Sequence, residues 1–97
     1  MRNKTIYVAG KMYGLPESQV REKFEKAAAD LEDKGYRVVS PASDMQRGMS
    51  WEDTMRHSIK SMLDCDEVHL LPCWQESRGA QLERDIAIRL GMDVVYH

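Results

Sequence analysis

The chain has 97 residues, of which 42% are hydrophobic and 31% are charged, and its formal net charge is −2 at pH 7. This length suits a single domain, residues 1–97, and the mixed charges provide no basic stripe for duplex nucleic acid. Because no apolar run is long enough to span a membrane and "MRNKTIYVAG" lacks the features of a signal peptide, we expect a cytoplasmic protein whose Cys65 and Cys73 stay reduced.

The first half of the chain predicts two strands separated by a long helix. "TIYVA", residues 5–9, is a β-branched and aromatic run that Gly10 ends, and the loop "GKMYGLPE" follows. Ser18 is the expected cap of the helix and Gly35 its expected stop. "YRVVS" is the second strand. The helix carries an apolar stripe of Val20, Phe24, Ala27 and Leu31.

The second half repeats the alternation of helix and strand. After the polar loop "PASDMQRGM", Ser50 and Asp53 resemble a capping box that opens a helix from about Trp51 to Leu63. "DEVHLL" is the third strand and "PCWQE" its exit loop. A last helix, "SRGAQLERDIAIRLG", continues until Gly91, and "DVVYH" is the fourth strand. The expected apolar face of the Trp51 helix is Met55, Ile59, Met62 and Leu63.

This order of elements predicts an α/β fold, a doubly wound four-stranded parallel sheet with three helices. The flavodoxin-like or Rossmann-like strand order 2-1-3-4 places a switch point between the first and third strands. Ligands bind at the carboxyl ends of the strands at such a point. The loops "GKMYGLPE" and "PCWQESRGA" would flank that crevice.

One acidic residue of the last helix lies on the side that should be buried. At about 100° per residue, Glu83 falls in the middle of the apolar stripe formed by Ala80, Ile86, Ala87 and Leu90. A carboxylate near a helix amino terminus is favoured as an anion, and in a cleft it can attack a sugar carbon. The alternative is a structural glutamate that is satisfied by Tyr7, Lys11 or a loop N–H group.

The start of the same helix offers groups that suit an anionic ligand. Ser77 can cap the helix, and its hydroxyl and the nearby N–H groups can hold a phosphate or a sugar hydroxyl. We expect Gly79 and Ala80 to keep the approach to this end of the helix open.

Three segments carry a resemblance to a known family. "YVAGKMYGLPE", "CDEVHLLPCWQESRGAQLE" and "GMDVVYH" resemble the nucleoside 2-deoxyribosyltransferase-like superfamily, and within it a small branch common in bacteriophage genomes. The resemblance implies that Glu83 is the nucleophile that takes deoxyribose from a purine or pyrimidine. It also implies that Tyr7, Ala9 and Gly10 shape the sugar site.

The resemblance also indicates a nucleotide as substrate, and this sequence departs from the family pattern at one position. Ser77 stands where relatives that act on deoxynucleoside monophosphates have a phosphate-binding serine, and Lys11 could add positive charge. Ser58 stands where the family has an aspartate that helps to protonate the base. Assistance to the leaving group would then have to come from His57, from Asp66 or from water.

Other residues have competing interpretations. Trp74 could stack on a base or pack against its own loop. Cys65, His69 and Cys73 are evenly spaced and should share a face of the third strand, but the ends of that row lie too far apart for one metal ion. We predict no metal and no cofactor. Trp51 suits a core or interface anchor better than a ligand contact.

The resemblance also implies a homo-oligomer. Leu82 and Ile88 lie off the buried stripe and are the candidates for the contact between subunits.

These observations lead to two hypotheses about function. The first is an enzyme that cleaves the N-glycosidic bond of a 2′-deoxynucleoside or its 5′-monophosphate through Glu83, passing deoxyribose to water or another base. The second is a nucleotide-binding module that keeps the pocket and has lost the chemistry, because Ser58 replaces the acid.

Overall fold

A computed structural model of the chain describes residues 4–12, 14–40 and 50–97. Its four strands form one sheet in the order β2-β1-β3-β4. All three pairs of neighbouring strands are parallel, so the predicted sheet and its order are confirmed. The strands are β1 (Thr5–Ala9), β2 (Arg37–Val39), β3 (Glu67–Leu70) and β4 (Asp93–Tyr96).

Three α-helices connect these strands in the described part of the chain. They are α1 (Glu17–Glu32), α2 (Trp51–Leu63) and α3 (Arg78–Arg89), and a short 3₁₀ helix at Trp74–Glu76 precedes α3. The predicted polar loop at residues 41–49 lies outside the described residues. No described helix is both long enough and apolar enough to cross a membrane.

Alternate residues of β1 supply the two halves of the core. Tyr7 and Ala9 point to the face of the sheet that contains the buried residues of α2 and α3, whereas Ile6 and Val8 point to the face that packs against α1. This alternation follows from the two-residue period of a strand. Because helices cover both faces of the sheet, each strand can be apolar on both sides, as "TIYVA" predicts.

Two of the three predicted helix caps form. The Ser50 hydroxyl accepts a hydrogen bond from the Asp53 amide at 3.0 Å, and the Ser77 hydroxyl accepts one from the Ala80 amide at 3.1 Å. The prediction of Ser18 as a cap is wrong, since α1 begins at Glu17 and Ser18 lies inside the helix. Gly35 follows α1 with φ of +93°, a conformation that favours glycine.

Two leucines that we expected to be buried are exposed. Leu63 in the last turn of α2 is 49% exposed, and Leu90, the residue that follows α3, is 61% exposed. Both lie at the carboxyl-terminal ends of their helices. Thr54 and Ser58 are buried on α2, so its inner face is more polar than the apolar pattern predicts.

Candidate functional site

The centre of the site is a buried pair formed by Tyr7 and Glu83. The Tyr7 hydroxyl donates a hydrogen bond to Oε2 of Glu83, and only 4% of Glu83 is exposed. Glu83 faces the sheet because it lies between Ala80 and Ala87, three and four residues away on the same side of α3. These two small side chains, both buried, let α3 pack on the sheet, where its carboxylate reaches the phenol of Tyr7.

Burial controls the ionisation of both members of the pair. It raises the pKa of the Glu83 carboxyl to about 7, and the hydrogen bond from Tyr7 opposes that rise. Burial, followed by the charge of Glu83, raises the pKa of the Tyr7 phenol well above its ordinary value. Tyr7 is therefore a protonated donor at every physiological pH, while Glu83 changes charge near neutrality.

The amino terminus of α3 stabilises the Glu83 anion less than the sequence predicts. Unpaired N–H groups occur in the first turn of a helix, and Glu83 lies six residues after the cap Ser77. The amino terminus of α3 therefore gives Glu83 little help in holding a negative charge. Desolvation is the larger effect, and it favours the neutral carboxyl.

Ser58 joins this pair from α2. It is buried, and its hydrogen bond with Tyr7 lowers the pKa of the phenol. Tyr7, Ser58 and Glu83 thus form a polar cluster, the Tyr7 cluster, within the core between the sheet and the two helices. The position that the family resemblance assigns to an acid therefore contacts Tyr7, the partner of the candidate nucleophile, with a hydroxyl in place of a carboxyl.

Neither of the other two candidate acids lies in the Tyr7 cluster. Asp66 lies at the amino ends of β1 and β3. Its Oδ2 accepts a hydrogen bond from the Thr5 amide there, at 2.9 Å. The expectation that Asp66 assists the leaving group is therefore wrong, because Asp66 lies too far from the Tyr7 cluster. His57 is exposed on α2, next to the buried Ser58.

A cleft of about 270 Å³ opens at the amino terminus of α3. The expected Ser77 and Lys11 line it, and the Lys11 ammonium lies 3.9 Å from Oε1 of Glu76. The guanidinium of Arg78 lies 3.7 Å from the centre of the Trp51 ring. The lining residues are Lys11, Trp51, Glu76, Ser77, Arg78 and Gly79.

Sequence reasoning missed Trp51 and Arg78 as residues of this cleft. The signal was available, because the Ser50 cap places Trp51 in the first turn of α2 and the Ser77 cap places Arg78 in the first turn of α3. Both helices start at the carboxyl edge of the parallel sheet. Their first residues therefore meet beside the crevice, and a cation over an indole ring is a favourable pair.

The small residues of the site serve packing more than ligand access. A Cβ added at Gly79 would lie 2.8 Å from Sδ of Met55, and one added at Gly10 would lie 3.2 Å from two atoms of Leu71. Ala9 and Ala80 are buried in the core. The expectation that Gly79 and Ala80 keep a ligand path open is therefore wrong for Ala80. Gly79 lines the cleft, but it also lets α3 approach α2.

Trp74 packs on protein groups beside the core. Its ring lies 5.6 Å from that of Tyr96, and the guanidinium of Arg84 is 5.1 Å from its centre. Trp74 does not line the cleft at the start of α3. These contacts favour the second of its two interpretations, packing rather than stacking on a base.

The three residues considered as metal ligands have other partners. His69 contacts Glu67 and His97 through its two ring nitrogens, at 3.0 and 2.8 Å. Cys65 and Cys73 pack on opposite faces of the sheet, so the expectation that they share a face is wrong. Over the described ranges, no group of three or more His, Cys, Asp or Glu side chains is placed to hold a metal ion.

Cys73 connects the loops that follow β1 and β3. Its Sγ accepts a hydrogen bond from the Lys11 amide at 3.2 Å and another from the Lys23 ammonium at 2.9 Å. The Lys23 ammonium also donates to the Lys11 carbonyl at 2.7 Å. These contacts hold the backbone of Lys11 beside the cleft.

A comparison with protein families covers nearly the whole chain. The model described as "Domain of unknown function (DUF4406)" matches residues 4–96, which include the Tyr7 cluster and the cleft. No curated protein matches the chain. The chain belongs to the DUF4406 family.

Proposed function

We propose that the protein cleaves the N-glycosidic bond of a 2′-deoxynucleoside or its 5′-monophosphate, with Glu83 as the nucleophile. The observation that carries the proposal is the hydrogen bond from the Tyr7 hydroxyl to the buried Glu83 carboxylate. The same bond also suits a structural glutamate that is satisfied by Tyr7, and the base-release assay distinguishes the two roles. A buried carboxylate that is held by one hydrogen-bond donor is a fixed and weakly solvated nucleophile. The resemblance to the nucleoside 2-deoxyribosyltransferase-like superfamily assigns the same two residues to the sugar site.

The proposed reaction has two displacements at one carbon. A carboxylate oxygen of Glu83 forms a bond to C1′ of deoxyribose while the N-glycosidic bond breaks, and the base leaves with its electron pair and takes up a proton. Water or a second base then attacks C1′, gives up a proton to the solvent and releases the Glu83 carboxylate, which balances the proton taken up by the first base. The Tyr7 hydroxyl stays bonded to Oε2, which leaves the other oxygen for attack.

The cleft at the start of α3 supports a nucleotide as substrate. The Ser77 oxygen accepts its hydrogen bond from Ala80, so the hydroxyl proton remains available for a phosphate oxygen. Lys11 and Arg78 add two positive charges to a cleft with one acidic residue, Glu76. The proposal includes a cytoplasmic location, which the two free cysteines support.

The test measures release of the base from purified protein. Deoxynucleosides and their monophosphates are incubated with and without a free acceptor base, and the products are separated by chromatography. We expect release that Glu83→Gln abolishes and that Asp85→Asn leaves unchanged, since Asp85 is an exposed carboxylate on the same helix. Equal release by the wild type and by a folded Glu83→Gln variant would disprove the proposal.

A binding module without chemistry is the second candidate function. The observations that favour it are the small exposed fraction of Glu83 and the hydroxyl of Ser58 where an acid would assist the base. On this reading the native protein binds a deoxynucleotide saturably and releases no base. Ser58→Asp would then create base release, whereas Ser58→Asn, which has the same size and no acid, would not. Rapid release by the native protein excludes this candidate.

A further inference from the structure

A cysteine and a lysine from distant parts of the chain are in direct contact beside the cleft. Nζ of Lys23, on α1, lies 2.9 Å from Sγ of Cys73, in the loop that follows β3. Both side chains are half-buried, so a small oxidant can reach them from the solvent. The fold therefore brings together a sulfur and an amine nitrogen that the proposed glycosidic reaction does not use.

The sulfur of Cys73 has electropositive surroundings. It accepts a hydrogen bond from the Lys23 ammonium and another, at 3.2 Å, from the Lys11 amide. Reactive cysteines in proteins occupy electropositive and partly exposed positions, whereas cysteines that are buried in apolar surroundings are inert. The environment of Cys73 therefore favours attack of its sulfur on an oxidant.

Cys65 has the opposite kind of environment. It is buried, and its thiol donates a hydrogen bond to the Ser61 carbonyl at 3.4 Å. Burial, followed by the charges of Asp64 and Asp66, raises the pKa of this thiol to about 11. Cys65 and Cys73 pack on opposite faces of the sheet, so the folded chain does not place them for a disulfide. Of the two cysteines, Cys73 is the one that is placed to react.

Lys23 is placed to react with an oxidised Cys73. A sulfenic acid, the first product of thiol oxidation, has an electrophilic sulfur that a neighbouring nitrogen can attack to form a sulfenamide. Nζ of Lys23 is in contact with the sulfur, and its second hydrogen bond, to the Lys11 carbonyl at 2.7 Å, holds it there. The Lys11 amide nitrogen also contacts the sulfur, but its lone pair is delocalised into the peptide bond. The amine of Lys23 is therefore the better nucleophile.

We propose that Cys73 and Lys23 form a reversible redox cross-link, a sulfenamide bond between Sγ and Nζ, when hydrogen peroxide oxidises the thiol. In the first step one peroxide oxygen is transferred to Sγ as the O–O bond breaks, so the sulfur is oxidised and the peroxide is reduced to water. Nζ then gives up the ammonium proton to the solvent. Its lone pair forms the S–N bond while the S–O bond breaks, and the hydroxide leaves as water with one amine proton. A thiol reverses the bond by attack on the sulfur.

The cross-link changes the contacts of the backbone that carries Lys11. In the reduced protein the Lys11 amide donates to Sγ and the Lys11 carbonyl accepts from Nζ. A covalent S–N bond is much shorter than the 2.9 Å contact and leaves one proton on the nitrogen, so both contacts must change. Because Lys11 lines the cleft, the bond connects the redox state of Cys73 to the cleft. Formation of the bond is independent of the chemistry assigned to Glu83.

The first experiment treats the full chain with hydrogen peroxide and measures its intact mass and its free thiols. We expect a product that is lighter by two hydrogen atoms, keeps one free thiol and returns to the original mass with a dithiol reductant. Proteolysis of this product should give a cross-linked pair of peptides that contain Lys23 and Cys73. A product that has gained oxygen overturns the proposal. A product that has lost both thiols is a disulfide and also overturns it.

Three variants assign the bond to its two atoms, and thermal unfolding checks that each variant folds. Lys23→Arg keeps the positive charge, but the guanidinium stays protonated and is not a nucleophile, so Cys73 should gain oxygen without losing two hydrogen atoms. Cys73→Ser should form no cross-link. Cys65→Ser is the matched control and should form the cross-link as the wild type does. Equal loss of hydrogen in Lys23→Arg would assign the bond to another nitrogen and contradict the proposal.

Discussion

The Tyr7 hydroxyl donates a hydrogen bond to the Glu83 carboxylate, although the two residues are 76 positions apart in the sequence. The strand β1 and the helix α3 place the two groups together in the core, where both are largely shielded from water. Removal of one partner therefore leaves the other buried without its hydrogen bond. This relationship makes both the proposed chemistry and the stability of the fold sensitive to pH.

Base release should increase as the pH rises through about 7. The proposed nucleophile is the ionised form of Glu83, and burial raises the pKa of this carboxyl to about 7. The measurement is kcat/KM for base release between about pH 5 and pH 9, which reports the ionisation of the free enzyme. A rate that is constant through this range would exclude Glu83 as the group that must ionise.

Tyr7→Phe should shift that pH profile to higher pH. The hydrogen bond from Tyr7 lowers the pKa of Glu83 and so opposes the effect of burial. Loss of this bond should raise the pKa further and leave a smaller fraction of Glu83 ionised at neutral pH. We also expect the free energy of unfolding to fall by about 1–3 kcal/mol. Tyr36→Phe, at a half-buried tyrosine that packs on the α1 face of the sheet, is the control and should leave the profile in place. An unshifted profile in Tyr7→Phe would show that the hydroxyl does not act on Glu83.

The free energy of unfolding should decrease between about pH 4.5 and pH 7 because of Glu83. The folded chain keeps the Glu83 proton up to about pH 7, whereas the unfolded chain releases it near the ordinary value of 4.5. The folded state therefore binds more protons in this interval, and rising pH destabilises it by an amount on the order of 3 kcal/mol. Below this interval both the folded and the unfolded chain bind the proton, so Glu83 does not lower the free energy of unfolding there.

Glu83→Gln isolates this contribution. The amide does not ionise, so the difference between wild type and variant should change across the interval and be constant above it. Urea unfolding at a series of pH values measures it, with Asp85→Asn as the exposed control. Parallel pH dependence of the wild type and Glu83→Gln would mean that Glu83 ionises normally in the folded protein.

Ser77→Ala should affect stability and substrate preference together. Loss of the hydroxyl that caps α3 lowers the free energy of unfolding by about 1 kcal/mol. In base-release assays we also expect the preference for a monophosphate over its nucleoside to fall about tenfold, the loss of one charge-assisted hydrogen bond.

Ser50→Ala is the matched control for that experiment, since Ser50 caps α2 through the same kind of hydrogen bond. It should lower stability by a similar amount and leave the substrate preference unchanged. If the two variants alter the preference equally, the effect comes from helix stability and Ser77 does not contact the phosphate.

Local patterns in the sequence were sufficient to predict most of the architecture. The run of residues 5–9, the caps Ser50 and Ser77, and the glycine at position 35 depend on neighbouring residues only, and the structure has each of them as predicted. The alternation of helix and strand leaves few ways to cover a parallel sheet, which explains why the strand order was predictable. Glu83 was recognisable because helix periodicity reveals a charge on an apolar face.

The environment of those residues depends on the tertiary structure, and no local sequence pattern predicts it. Leu63 lies on an apolar stripe but is exposed, because burial requires another element to cover the end of α2. Asp66 precedes β3 and therefore lies at the edge of the sheet opposite the cleft.

The sequence by itself determined that Glu83 would face the core, because a helical period of 3.6 residues fixes which side of α3 it occupies. Only the tertiary structure decided that Tyr7 and Ser58 share this core position and that burial raises the pKa of Glu83 to about 7. The physical reason is that desolvation and hydrogen bonding depend on distances between atoms that lie far apart in the chain.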